Sequence, residues 1–94
     1  MASVRNLKKD IAYLVGEIIA DCQLFIMLNP KQNIDAAYSI IEEAVEMYNL
    51  MYDRANHPDG KDSPKLVRQH YRQLNADLLS QANSLFERIS KLKD

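Results

Sequence analysis

The 94 residues carry twelve basic and thirteen acidic side chains and a net charge of −1 at pH 7. That is the size of one domain with a modest core, and the charge balance argues against a general nucleic-acid binder, which shows a clear basic excess. Two glycines, three prolines and no tryptophan suit an all-helical domain, and the single cysteine excludes an internal disulfide and fits a reducing compartment.

Helix one is expected from about Ser3, its N-cap, to Leu28. Its core stripe is Val4, Leu7, Ile11, Leu14, Val15, Ile18, Cys22, Phe25 and Ile26. Cys22 on that stripe reads as an inert core thiol. A second stripe runs along the far side: Tyr13, Gly16, Ala20, Leu24 and Met27, at spacings of 3 and 4. One domain does not need this stripe for its core. Small residues at Gly16 and Ala20 would let another helix approach closely, so the stripe is a candidate partner or homodimer surface. Scattered surface apolar residues would account for it equally well. The opening MASVRNLKKD has no apolar run directly behind its charges and does not resemble a signal peptide. Glu17, Asp21 and Gln23 interrupt the apolar-rich stretch from Ile11 to Leu28, at a high cost in lipid. The expectation is a cytoplasmic protein with no membrane partner.

Pro30 disfavours helix at Asn29, so helix one should stop there or just before. Helix two then starts either after Asn33 as N-cap, or earlier, with Asn29 as cap, Pro30 at the first helical position and Gln32 closing a capping box. It extends to Asn56. Its apolar half is Ile34, Ala37, Ile41, Ala44, Tyr48, Met51 and Ala55, flanked by Tyr38, Val45 and Tyr52 on one side and by Ile40 and Met47 on the other. Two flanks suit contact with two helices. Glu42, Glu43 and Glu46 lie in the acidic half, a solvated face or a docking face for a basic partner.

The connection His57-Pro58-Asp59-Gly60-Lys61-Asp62 ends helix two at Pro58 and turns at Asp59-Gly60. It is not a calcium loop: with Gly60 sixth, Ala55 and Leu66 would fill the first and twelfth ligand positions. Helix three starts with Ser63 as N-cap and Pro64 behind it, and runs to about Leu92. Its stripe is Val67, Tyr71, Leu74, Leu78, Ala82, Leu85, Ile89 and Leu92, with Leu79 and Phe86 on a flank. Three helices of similar length with short connections predict an all-α fold, a three-helix antiparallel (up-down-up) bundle.

Chemistry-bearing residues are sparse. Asp53, His57, Asp59 and His70 lie near the second connection and form a candidate loop site for a ligand or metal, although their spacing matches no metal motif, and no metal or cofactor is expected. Lys65, Arg68 and Arg72 share a face at the start of helix three. They form a candidate anion-binding group for a few phosphates, as in an RNA- or ribosome-associated factor, or a solvated face paired with the acidic half of helix two. No nucleophile stands near a base in sequence, and two isolated glycines cannot build a phosphate loop. The LKKDI start, the IIEEAVE centre and the NHPDGKD loop are similar to small, uncharacterised all-helical bacterial proteins of unknown function. That resemblance implies a helical fold and no activity. The functional expectation is a non-enzymatic interaction module or accessory subunit whose partner is another protein or a second copy of itself.

Overall fold

A computed structural model describes residues 4–58, 60 and 62–92. Ser3 and Asp59 lie outside the described residues. Three helices account for nearly all of the rest: α1 (Val4–Leu28), α2 (Ile34–Asn56) and α3 (Pro64–Leu92). The molecule measures 53 × 19 × 19 Å, as expected for helices of about 35 to 43 Å lying side by side.

The helix ends follow local chemistry. Asn29 closes α1 by donating both its backbone N–H (2.9 Å) and its side-chain Nδ2 (3.1 Å) to the Phe25 carbonyl. Residues 29–32 form a turn, with Gln32 N–H donating to Asn29 O at 3.2 Å. Of the two starts considered for helix two, the one after Asn33 is therefore observed. Asn33 is not a side-chain cap of its own helix, however. Its φ of 53° is left-handed and its side chain makes no capping bond to α2. Instead its Nδ2 donates to Leu92 O at 3.2 Å, satisfying a carbonyl at the end of α3. Ser63 does cap α3, its Oγ accepting from Leu66 N–H at 3.4 Å.

Polar contacts between α2 and α3 run in opposing order. Asn33 meets Leu92, Glu43 is ion-paired with Arg88, and Arg54 meets Asp77 at 2.9 Å. Residue numbers rise along α2 as they fall along α3, the order expected of neighbours running in opposite directions. The end of α2 is held by α3 as well. His70 Nε2 lies 2.7 Å from Arg54 O, and Tyr71 OH donates to Ala55 O at 2.9 Å. A carbonyl only accepts, so His70 must carry its proton on Nε2.

The core is the inward line of each helix: Leu7, Ile11, Val15, Ile18, Cys22 and Phe25 from α1; Ala37, Ile40, Ala44, Met47, Met51 and Ala55 from α2; Leu74, Leu78, Ala82, Leu85, Ile89 and Leu92 from α3. Four expectations change. Leu14 and Ile26 of α1 are half-buried, packed against the core rather than within it. Val4 is exposed, because it stands at the open end of α1. Ile40 and Met47 are buried, whereas Ile34, Ile41 and Tyr48 are only half-buried. The centre of α2's apolar face is thus rotated toward the flank that meets α3. Val67 and Tyr71 are half-buried, near the start of α3.

Asp77 links this packing to pH. Gln73 Nε2 donates to its Oδ1 at 2.8 Å and Arg54 Nη1 contacts Oδ2 at 2.9 Å. The Gln73 bond first, then Arg54, hold the carboxyl below its ordinary value. A carboxyl depressed in the folded state stabilises the fold fully above its unfolded pKa, and that contribution is lost as pH falls through the folded value. Asp77→Asn should therefore lose less stability than the parent between about pH 6 and about pH 3 in urea titrations. Equal losses would show that the contact adds nothing.

Candidate functional site

The outer face of α1 is set by helical geometry. With Ile11, Ile18 and Cys22 fully buried on one side, the 100° step places Gly16, Ala20 and Met27 opposite, with Tyr13 and Leu24 beside them. All five are exposed: Tyr13 67%, Leu24 52% and Met27 73%, with Gly16 and Ala20 open between them. A Cβ added at Gly16 would find nothing within 4 Å. Glycine inside a helix costs about 1 kcal/mol relative to alanine, and no packing within this chain requires it. Gly16 is also the middle residue of Val4–Leu28.

The surface continues onto α2. Lys8 Nζ stands 5.1 Å from the centre of the Tyr52 ring, which in turn stacks on Tyr48 (5.3 Å between centres). The Tyr38, Val45 and Tyr52 flank of α2 therefore adjoins α1, and both Tyr38 and Val45 are exposed. α1 is long and apolar enough to cross a membrane by length and composition. A bundle helix with two apolar faces has that same composition.

Of the candidate loop residues, Asp53, His57 and His70 lie among the described residues. His57 Nε2 lies 3.6 Å from Asp53 Oδ1, with both side chains largely exposed. His70 Nε2 faces the Arg54 carbonyl. Among the described residues no three His, Cys, Asp or Glu side chains gather closely enough to hold a metal ion. Cys22 is fully buried, and burial, then the Asp21 charge, push its thiol pKa up, so it stays protonated and a poor nucleophile.

Arg68 and Arg72 do not pair with α2. The acidic face of α2 is met by Arg88, through Glu43. Arg68 and Arg72 instead border a cleft of about 410 Å³ shared with Val4, Leu7 and Asp10 of α1 and with Tyr71 and Asn75 of α3. Lys65 is exposed one turn earlier and does not border the cleft. Asp10 and Asn75 carry no local sequence signal for this role, because the cleft joins segments far apart in the chain.

No protein-family model, no curated protein and no solved structure matches this chain.

Proposed function

We propose that the protein is a non-enzymatic helical interaction module that self-associates through the outer face of α1. The observation that carries this reading is the exposed glycine at the midpoint of that helix, with open space above it and large apolar side chains on either side. Close approach of a second helix gives the glycine a use that the single chain does not.

Size decides how much surface takes part. A helix of 25 residues is about 37 Å long, so one face offers on the order of 400 Å². A stable interface needs about 800 Å² per partner. Tyr38 and Val45 of α2 extend the patch toward that area, which favours a contact made by α1 and α2 together. Charge favours an antiparallel α1 pair. The first turn of α1 has no acidic residue and its last turn no basic one, while Arg5, Lys8 and Lys9 lie near the positive end of its dipole. Antiparallel pairing about Gly16 brings Arg5 and Lys9 to the partner's negative C-terminal end. The burial of Ile11, Ile18 and Cys22 in the shared core supports a helix that works within a bundle.

The test is sedimentation equilibrium of the parent and Ala20→Glu. The parent should be dimeric at high micromolar concentration, and the variant monomeric with unchanged helix content. A strictly monomeric parent would refute the proposal.

A further inference from the structure

We propose that the cleft between the N-terminal parts of α1 and α3 binds a small organic phosphate, with the phosphate held by Arg68 and Arg72. These arginines are four residues apart, so their side chains leave α3 on one face, one turn from each other. Like charges at that spacing repel, and no ion pair among the described residues relieves them. Arg54 contacts Asp77, Arg88 contacts Glu43 and Lys91 lies 3.7 Å from Glu87. Arg68 and Arg72 make no ion pair or hydrogen bond among the described residues. Asp10 borders the same cleft without closing on either of them, which leaves it net positive.

The walls are suited to more than a bare ion. Val4, the buried Leu7 and the Tyr71 ring supply an apolar floor, and Tyr71 is fixed in place by its 2.9 Å bond to Ala55 O. About 410 Å³ is within the range of small-molecule sites. Two guanidiniums match the charge and the several acceptor oxygens of a phosphate monoester, and its body would lie on the floor. A nucleic-acid strand would need a longer run of cations and open aromatic faces to stack on. Tyr48 and Tyr52 already stack on each other, with Lys8 over Tyr52.

Phenyl phosphate and inorganic phosphate serve as probes, titrated by calorimetry and by NMR of the Asn75 amide. Phenyl phosphate should bind at least about tenfold more tightly than inorganic phosphate, because the floor adds to the charge contact. The double variant Arg68→Gln/Arg72→Gln should lose phenyl phosphate binding about tenfold or more and keep its helix content, since both side chains are exposed. Lys91→Gln should bind as the parent does. Equal affinity for the two probes, binding that survives the double variant, or binding of a short single-stranded RNA but not of phenyl phosphate would each overturn the proposal. The cleft does not depend on self-association: Ala20→Glu, on the outer face, should leave phenyl phosphate binding unchanged.

Discussion

Ile18→Ala is expected to destabilise the protein by about 2–5 kcal/mol. Ile18 is fully buried near the middle of α1, where side chains from both other helices meet. Truncation removes the transfer free energy of the lost methyl and methylene groups and leaves a cavity that close-packed helices cannot collapse around. Against a total of about 5–15 kcal/mol for an ordinary domain, such a loss puts folding at risk. Leu24→Ala on the same helix is the contrast. Leu24 is half exposed on the outer face, so its truncation should alter the stability of the monomer by no more than about 0.5 kcal/mol. It should nonetheless weaken self-association. Urea titrations at low protein concentration, paired with sedimentation, separate the two effects. Equal destabilisation by both changes would mean that Leu24 belongs to the core.

The fold was legible where chemistry acts locally. Pro30, Pro58 and Pro64, together with Asn29 and Ser63, fix the helix limits, because each alters the backbone groups within one turn of itself. The inward line of α1 was legible from periodicity for the same reason. The tilt of α2 was not. Periodicity gives relative angles around a helix, and it put Ile41 and Tyr48 at the centre with Ile40 and Met47 on a flank. The position of α3 decides between them, and Glu43 meeting Arg88 marks the side on which it lies. Asn33 and His70 were also out of reach: each bonds a main-chain carbonyl of another helix, Leu92 O and Arg54 O, and a carbonyl acceptor carries no side-chain signature. At the surfaces, the outer stripe of α1 could be read because all five residues lie on one helix. The Arg68–Arg72 cleft could not, because α1 supplies Val4, Leu7 and Asp10 to it.

The two glycines should respond to alanine with opposite signs. Gly60 has a φ of +70°, and a Cβ there would stand 2.5 Å from Leu66 Cβ. Leu66 Cβ is fixed to the first turn of α3 and cannot swing away as a flexible side-chain tip would, so the connection itself must shift. Adding the left-handed backbone cost, Gly60→Ala should lose about 2 kcal/mol or more. Gly16→Ala meets only open space and gains helix propensity, so at low protein concentration it should raise stability by about 1 kcal/mol. At high concentration the same methyl group enters the gap through which a second α1 approaches, and the dimer should weaken about tenfold. Denaturation and sedimentation of one Gly16→Ala sample thus give opposite readings, a result that a purely monomeric role for this glycine does not produce. If Gly16→Ala stabilises the chain and leaves self-association untouched, the two copies meet somewhere other than the midpoint of α1.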